Sequence, residues 1–477
     1  MFLKVCGQEN DEVDLTIEKI NADYANNWEV ACTYPIVNID QQGYGHYRAD
    51  NYEQLIDHPV EIAELTEVTF EVSGIPHKMI FSGQHRGDLP RLAKDCEKIC
   101  AEHAKMFGEL PIEQYLFQTL VTPDSYGGLE HRDSTALVCG QHDLPQAKDA
   151  KKVTDEYRKY LGLCSHEYFH LWNVKRIRPK AYRTTNWSEE AYSRQLWIFE
   201  GLTSYYDDLA LVRAGVISKD SYLELLSSAF NRVRNSKGRL QQSMADSSFD
   251  TWIKFYRPNA NTPNSVVSYY AKGSIVGLAL DLTIRQHTHN EKSLDDVMRK
   301  AWQESGITER GLEEGEFETF CSEVAGVDLS DFFNDWIYSA KDVKVEDLLK
   351  DFGVNIIARQ DTAVTRINEL MGIEVEMKGP LLFARTVHKD SVAEKAGIAA
   401  GDELVSLNGV KLKRTSLQSL AKQYQAGDKV EVLTFRRDAL QSFNLELAPS
   451  HKHLWKLSLD DAASDTSRAN QEAWLRG

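Results

Sequence analysis

The sequence lacks any uninterrupted apolar run near the roughly 20 residues that a helix needs to cross a bilayer, so it predicts no membrane span. Its first residues, MFLKVCGQENDEVDL, contain no apolar core of signal-peptide length and turn acidic at Glu9. Basic residues are in the minority, since 55 Lys and Arg face 72 Asp and Glu and give a formal net charge of -17. This excess of carboxylates argues against nucleic acid or an anionic membrane as the main partner.

Cysteine is also sparse. The seven cysteines are odd in number and scattered over 477 residues, which is typical of reduced thiols in a cytoplasmic protein. Only Cys96 and Cys100 are close together, one helical turn apart. Because no second Cys or His pair follows at the spacing of a zinc site, two thiols on a helix are favoured over a metal pair. We therefore expect a cytoplasmic location.

Changes in the hydrophobic period divide the chain into segments. Early runs such as VDLTIEKI and EVTFEVSGI alternate apolar and polar residues, which predicts strands. From Leu89 the apolar residues recur every three to four positions, which predicts helices. We predict a multidomain α+β protein with an amino-terminal β domain (1–88), a mostly helical domain (89–345), a connector (346–366), a β/α module (367–450) and a loosely held polar tail (451–477).

The run HEYFH at residues 166–170 carries the clearest chemistry. On a helix, His166 and His170 project from one face, one turn apart, as two imidazole ligands of one zinc ion require. Glu167 is displaced around the helix by one residue, so it reaches a zinc-bound water without ligating the metal and can act as general base. Taken alone, H-E-x-x-H also arises by chance on a helix surface that carries two histidines.

Features outside the run favour the zinc interpretation. Glu200 stands in the apolar stretch WIFEGLTSYY, where a lone buried carboxylate costs several kcal/mol unless it is paired or binds a metal. We therefore predict His166, His170 and Glu200 as the ligands of one zinc ion per chain. Tyr270, at the start of a further predicted helix, could donate a hydrogen bond to the oxyanion of a tetrahedral intermediate. Core packing is the alternative explanation of this tyrosine.

Three long motifs carry a resemblance to a known family: SHEYFHLWNVKRIRP, LWIFEGLTSYYDDLALVRAG and SYYAKGSIVGLALDLTIR. They resemble the glycyl aminopeptidase family of bacterial metallopeptidases, which are gluzincins with a thermolysin-like catalytic domain and a PDZ domain, distantly related to aminopeptidase N. The resemblance extends over most of the chain. It implies His166, His170 and Glu200 as zinc ligands, Glu167 as the base and Tyr270 as the residue that stabilises the transition state.

The resemblance also gives a meaning to the run YGGLEH at residues 126–131. In aminopeptidase N enzymes a Gly-x-Met-Glu-Asn strand borders the cleft, its backbone pairs with the substrate, and its Glu binds the free α-amine. The present run is similar, with Leu129 and His131 in place of Met and Asn. This implies substrate binding by Gly127 and Gly128 and amine recognition by Glu130, whereas the residues alone predict a turn with an exposed Glu.

Two features depart from the relatives. The 29 residues between His170 and Glu200 exceed the gap in thermolysin or aminopeptidase N, so an extra loop or helix is expected between Lys175 and Glu189. This longer gap is characteristic of the glycyl aminopeptidase family itself. The amino-terminal β domain is also shorter than the family's, as if its first strands were missing, which predicts a shortened start.

The stretch KDSVAEKAGIAAGDELVSLNGVKL resembles the middle of a PDZ domain. Upstream of it, Leu370, Met371, Gly372 and Ile373 occupy the place of the loop whose backbone amides cradle a chain-terminal carboxylate. This predicts the carboxyl terminus of a peptide or protein as a partner. A PDZ-shaped spacer that packs on the catalytic domain without a ligand is the alternative.

Together these features predict a zinc-dependent aminopeptidase that releases small amino-terminal residues, glycine or alanine, by attack of a zinc-bound water. Its substrate would be a peptide with a free amino terminus. One alternative is a thermolysin-type endopeptidase or oligopeptidase, in which Glu130 binds no amine. The other is a non-catalytic PDZ scaffold on a decayed protease domain, which is disfavoured because Glu167 and the three predicted ligands are all present.

Overall fold

The computed structural model describes residues 2–149, 152–183, 189–360, 366–450 and 453–476. The amino-terminal part is a small β unit of two antiparallel sheets, ordered β1-β4-β3 and β2-β5. Its elements are β1 (Val13–Ile17), β2 (Glu29–Ala31), β3 (Ile36–Ile39), β4 (Gly45–Ala49), α1 (Tyr52–Ile56) and β5 (Glu61–Ala63). Tyr34, Tyr47 and Leu55 form the centre of its separate core.

A five-stranded sheet follows, ordered β6-β7-β8-β10-β9. Its elements are β6 (Thr66–Val72), β7 (Ile75–Ser82), α2 (Leu89–Phe107), β8 (Tyr115–Thr122), β9 (Gly127–Glu130) and β10 (Ser134–Gly140). The sequence predicts a domain boundary at residue 88, but the structure differs. Strand β7 pairs in parallel with β8, so α2 is a crossover helix within one sheet and β6 and β7 belong to the catalytic domain.

The helical part of the catalytic domain covers one face of this sheet and contains the main core. Its helices are α3 (Asp155–Phe169), α4 (Lys180–Arg183), α5 (Thr203–Arg213), α6 (Lys219–Arg234), α7 (Met244–Phe249), α8 (Thr262–Ser265), α9 (Tyr269–His287), α10 (Leu294–Ala301), α11 (Glu316–Ala325), α12 (Ser330–Trp336) and α13 (Glu346–Asp351). Helices α3, α5 and α9 pack together at its centre. The extra loop or helix expected before Glu200 includes α4, and residues 184–188 of it lie outside the described residues.

The carboxyl-terminal module folds as a PDZ domain around a sheet ordered β12-β13-β14-β16-β17, with β15 beside β14. Strand β11 (Val354–Gln360) precedes it, and its elements are α14 (Ile367–Met371), β12 (Ile373–Lys378), β13 (Leu381–Val387), α15 (Val392–Ala396), β14 (Glu403–Leu407), β15 (Val410–Lys411), α16 (Leu417–Ala421), β16 (Lys429–Arg436) and β17 (Ala439–Glu446). It contacts the catalytic domain through Asn264, whose amide donates to Val387 O at 2.8 Å and accepts from Lys389 N at 2.9 Å.

The predicted carboxylate loop differs from the open loop that the sequence suggests. Leu370 and Met371 end α14 with their side chains in the PDZ core, where Ile373 is also buried, and Gly372 caps the helix at φ 77°. The amide of Leu370 donates to Arg366 O and that of Gly372 to Glu369 O. Two amides of the predicted cradle are therefore already used within the chain.

The last residues are not the loose tail that the sequence predicts. Strand β18 (His453–Leu459) pairs antiparallel with β11, inside the predicted connector, and α17 (Asp465–Arg476) follows. Trp474 of α17 is buried and its indole N–H donates to the hydroxyl of Tyr205 at 2.9 Å. The polar composition hides this docking, because three buried apolar residues, Leu457, Trp474 and Leu475, anchor an otherwise largely exposed segment. Residues 361–365 of the predicted connector, and residues 451, 452 and 477 of the predicted tail, lie outside the described residues.

A row of side chains on α6 holds β18 in place. Asn231 exchanges two hydrogen bonds with the backbone of Trp455, at 2.8 and 2.7 Å, and Asn235 does the same with His453, at 2.8 and 2.9 Å. Helix residues four apart are separated by about 6 Å and strand residues two apart by about 6.6–6.8 Å, so the two rows match. The strand thereby gains partners on both edges. The α+β fold class with a β-rich start, a helical centre and a PDZ module is confirmed.

Among the described residues, no helix combines the length and the apolar character that a membrane span requires.

Candidate active site

The two histidines of HEYFH lie at the end of helix α3. Thr154 caps its first turn by accepting from the Tyr157 amide, and the acidic residues of that turn match the helix dipole. His166 lies in the last turn and His170 is the carboxyl-terminal cap. Because the two are four residues apart, their rings face the same side with centroids 4.7 Å apart.

Glu200 faces both imidazoles from a π-helical turn, Trp197–Gly201, that precedes α5. Its Oε2 lies 3.3 Å from Nε2 of His166 and 3.4 Å from Nε2 of His170. That oxygen is buried and accepts no well-directed hydrogen bond from the part of the chain that the structure describes. Such π-helical turns occur frequently at functional sites. His166, His170 and Glu200 thus form a candidate metal site.

Each imidazole is fixed through its other ring nitrogen. His166 Nδ1 lies 2.9 Å from Oδ2 of Asp207 on α5, and His170 Nδ1 lies 2.7 Å from the backbone oxygen of Asn173. With Nδ1 donating, each Nε2 is left with its lone pair toward Glu200, which is the tautomer that ligates a metal. We did not predict Asp207 from the sequence, although two adjacent acids in the buried run SYYDDLA are a signal of the same kind as Glu200.

Asn173 connects the segments that carry the candidate ligands. Its side-chain amide is fully buried and donates to Ile198 O at 3.1 Å and to the hydroxyl of Thr203 at 3.3 Å, on either side of Glu200. Its backbone oxygen is the partner of His170. The sequence shows only an Asn three residues after His170, so this role depends on the tertiary fold and could not be read from the motif.

The electrostatics of the candidate site favour a cation. Burial raises the pKa of Glu200, but the two imidazoles outweigh it and hold the pKa below its usual range. Burial lowers the pKa of His166, but Asp207 and Glu200 outweigh it and hold the pKa above its usual range. Four carboxyl groups, those of Glu130, Glu167, Glu200 and Asp207, therefore surround two imidazoles, and this excess of acidic groups suits a divalent ion.

Glu167 lies beside the candidate ligands and points to the cleft. Its side chain is buried, and Oε2 has no hydrogen-bond partner among the described residues. Burial raises its pKa to about 7; the two imidazoles act in the opposite direction, while Glu130 and Glu200 add to the rise. A carboxylate with a pKa near neutrality can take up and release a proton at physiological pH.

Strand β9 carries YGGLEH over the site, where the residues alone predict a turn. It pairs with β10 and, within the described residues, has no strand on its other edge. Carboxylate oxygens of Glu130 and Glu167 and a ring nitrogen of His170 all lie within 4.8 Å of one another. Gly128 makes this approach feasible, because a Cβ there would lie 2.2 Å from Oε1 of Glu167.

The end of β9 is fixed to the amino-terminal unit. Asp57, at the end of α1, accepts from the Arg132 amide at 3.1 Å, contacts His131 Nδ1 at 3.3 Å, and pairs with Lys175 Nζ at 2.6 Å. The amino-terminal unit therefore supports the strand that carries Glu130.

Tyr270 reaches the site from α9. Ser268 caps this helix, so Tyr270 lies in its first turn, with its ring centroid 6.3 Å from that of His166. Its hydroxyl lies 3.2 Å from that of Tyr256. Helix α9 and the turn that carries Glu200 approach closely because they meet at two glycines. A Cβ on Gly201 would lie 2.7 Å from Cα of Gly273. The turn of Glu200 and helix α9 therefore pack backbone to backbone.

The structure thus brings together the residues predicted for the catalytic site from four separate elements: Gly127, Gly128 and Glu130 on β9, His166, Glu167 and His170 on α3, Glu200 on the π-helical turn and Tyr270 on α9. The predicted PDZ loop, 370–373, is not among them and lies in the PDZ core.

Comparisons with known proteins show which family the chain is similar to. Residues 159–276 match the family model of M61 glycyl aminopeptidase, residues 1–64 that of the peptidase M61 N-terminal domain, and residues 383–437 that of a PDZ domain. The crystal structure of an aminopeptidase N family protein from Idiomarina loihiensis is 35% identical and superposes with a TM-score of 0.90 over 98% of this chain and 80% of that chain.

A more distant structure, an M1 zinc metallopeptidase from Deinococcus radiodurans, is 12% identical with a TM-score of 0.46, over 70% of this chain and 64% of that chain. No curated protein sequence gives a significant match. The resemblance predicted from the three motifs is confirmed, and the chain belongs to the M61 glycyl aminopeptidase family of metallopeptidases, with that family's amino-terminal domain and a PDZ domain.

Proposed function

We propose that the protein is a zinc-dependent aminopeptidase that releases small amino-terminal residues, glycine or alanine, from peptides. The observation that carries the proposal is the position of Glu130. Its carboxylate stands within 4.8 Å of both the general-base candidate Glu167 and the candidate ligand His170, on a strand that has one edge without a neighbouring strand among the described residues. A carboxylate so close to the reacting bond leaves space for about one residue between a bound amine and the metal site.

The residues present fit one zinc ion held by His166, His170 and Glu200. Two imidazole nitrogens and a carboxylate oxygen, with a further position left for water or substrate, are the donor set of a catalytic zinc site. Zinc–ligand bonds of about 2.0–2.1 Å in a tetrahedron place donors about 3.3–3.4 Å apart. The separations of 3.3 and 3.4 Å between Glu200 Oε2 and the two Nε2 atoms match this distance between donors. The lone, buried Oε2 of Glu200 is explained by the same ion.

A bound zinc ion supplies a Lewis acid that polarises the scissile carbonyl and makes a water molecule more acidic. Glu167 then accepts a proton from the attacking water and later gives it to the leaving amine. Tyr270 donates its hydroxyl hydrogen bond to the oxyanion as the carbonyl becomes tetrahedral. Asp207 and Asn173 keep the imidazoles oriented throughout.

Substrate recognition is assigned to strand β9. The open edge of β9 can pair with an extended peptide backbone, as an added strand does. Glu130 then meets the protonated α-amine and fixes the register, so that cleavage follows the first residue. The preference for glycine or alanine is what the family's activity implies for this chain.

A substitution of Glu167, the proposed base, tests the proposed chemistry. Glu167→Gln removes the base but none of the three ligands, so we expect about one equivalent of zinc and a loss of several orders of magnitude in hydrolysis of glycyl-p-nitroanilide. Metal content is measured on the same preparation. Hydrolysis by the variant at the wild-type rate would contradict the assignment of Glu167. Wild-type protein that binds less than about a tenth of an equivalent of zinc would contradict the metal site.

A further inference from the structure

Four large apolar side chains are exposed beside the catalytic cleft, within one eight-residue segment. They are Phe249 (40% exposed), Trp252 (40%), Ile253 (58%) and Tyr256 (55%), which we call the aromatic strip. Single exposed apolar residues are common on protein surfaces, but a contiguous cluster marks a binding surface. The strip begins at the last residue of α7 and continues through a second π-helical turn, Thr251–Phe255.

The strip is continuous with the catalytic residues. The hydroxyl of Tyr256 lies 3.2 Å from that of Tyr270, and the ring of Phe255 stacks on Tyr270 with centroids 5.7 Å apart. From Tyr256 the strip runs outward to Trp252, whose ring centroid is 6.2 Å away. The strip is therefore adjacent to Tyr270, the proposed oxyanion donor.

The orientation of the cleft indicates which part of a peptide would meet the strip. Glu130 stands beside His170, whereas Tyr270 stands beside His166, one helical turn earlier on α3. A peptide whose amine is held by Glu130 places its first carbonyl at the metal site. Its following residues then leave the cleft past Tyr270 and reach the strip.

The length of the strip agrees with that of a short stretch of extended peptide. Two residues of extended peptide span about 7 Å, and the rings of Tyr256 and Trp252 are 6.2 Å apart. Counted from a cleaved carbonyl beside Tyr270 and Tyr256, the first residue after the bond would thus lie between the rings of Tyr256 and Trp252, and the second near Trp252 and Ile253. The indole N–H of Trp252 donates to Ala191 O at 3.1 Å, which holds the ring in place as one wall.

We propose that the aromatic strip is the subsite for the leaving-group side of the peptide substrate and selects an apolar side chain at the second residue after the cleaved bond. This inference rests on the proposed aminopeptidase function and adds a preference beyond the amino-terminal residue.

The test compares two matched peptides, Gly-Ala-Phe-amide and Gly-Ala-Ser-amide, with the zinc-loaded full chain. We expect kcat/KM to be about tenfold higher for the Phe peptide, which is what partial burial of one large apolar side chain provides. In Ile253→Ser and in Trp252→Ala the ratio of the two kcat/KM values should fall to about one. Ile253→Ser guards against misfolding, because that side chain is largely exposed. Leu440→Ser, an equally exposed apolar position on β17 of the PDZ domain, is the matched control and should keep the wild-type ratio.

Three outcomes would overturn the inference. Equal cleavage of both peptides by the wild-type protein would remove the subsite but leave the proposed function intact. An unchanged ratio in both strip variants, together with conversion of a dimer to a monomer in gel filtration, would make the strip a self-association surface instead. Cleavage of neither peptide would overturn this inference together with the proposed function.

Discussion

Gly128 offers a sharp test of how the cleft is built, because its missing side chain is the space that Glu167 occupies. In Gly128→Ala the new Cβ would lie 2.2 Å from Oε1, 2.5 Å from Cδ and 2.8 Å from Cγ of Glu167. Oε1 would have to retreat by at least about 0.8 Å to reach the 3.0 Å below which Cβ contacts essentially never occur. A displacement near 1 Å of a catalytic group costs about 100-fold in rate, or about 2.7 kcal/mol of transition-state stabilisation.

The assay is kcat and KM for glycyl-p-nitroanilide, with zinc content and thermal unfolding of the same samples. We expect kcat to fall about 100-fold while one equivalent of zinc is retained, because the crowded group is the proposed base and not one of the proposed ligands. Gly127→Ala is the neighbouring comparison, since a Cβ there meets no atom of the described residues within 4 Å, and it should lose far less kcat. An equal fall in kcat in the two variants, or an unchanged kcat in Gly128→Ala, would refute the claim that Gly128 makes room for the proposed base.

Three further perturbations test other parts of the account. Tyr270→Phe should lower kcat about 10²–10³-fold with little change in KM, because the lost hydrogen bond acts in the transition state; steady-state kinetics checks this. Asn173→Ala should weaken zinc binding about 10–100-fold in chelator competition, because the turn that carries Glu200 loses its hydrogen bonds from the Asn173 side chain, while the backbone oxygen that holds His170 remains. Asp57→Asn tests the anchor of β9: burial raises the pKa of Asp57, but His131 and Lys175 outweigh it and lower the pKa to about 2. Because the pKa of Asp57 is lower in the folded state than in the unfolded state, its carboxylate stabilises the fold by about 2 kcal/mol above pH about 4. This stabilisation is lost as the pH falls toward 2. The free energy of unfolding of the wild type should therefore exceed that of Asp57→Asn at pH 7, and the difference should be smaller at pH 3.

The local part of the site could be predicted because helix geometry fixes it. Two histidines four residues apart must share a face of α3, and a carboxylate in the apolar run around Glu200 needs a buried partner. Asp207 and Asn173 escaped prediction because their partners are set by the packing of α5 against α3. The open edge of β9 also depends on sheet order, which the run YGGLEH does not encode.

The domain limits could be predicted only in part, for a similar reason. The change of period at Leu89 is real, but a crossover helix between parallel strands produces the same change as a domain boundary. The carboxyl-terminal segment is polar on average, yet its strand is paired with β11 and with Asn231 and Asn235 of α6. Contacts of such long range leave no periodic signal in the sequence.

In the proposed function, Glu130 is the residue that makes this metallopeptidase an aminopeptidase. The most direct measurement is kcat/KM of the zinc-loaded wild-type protein for Gly-Ala-Phe-amide and for the same peptide with an acetylated amino terminus. We predict that acetylation lowers kcat/KM about 10- to 150-fold, because Glu130 then loses its charged partner and a hydrogen bond to a charged group is worth about 1.5–3 kcal/mol. Undiminished cleavage of the acetylated peptide would contradict the account and would identify the protein as an endopeptidase.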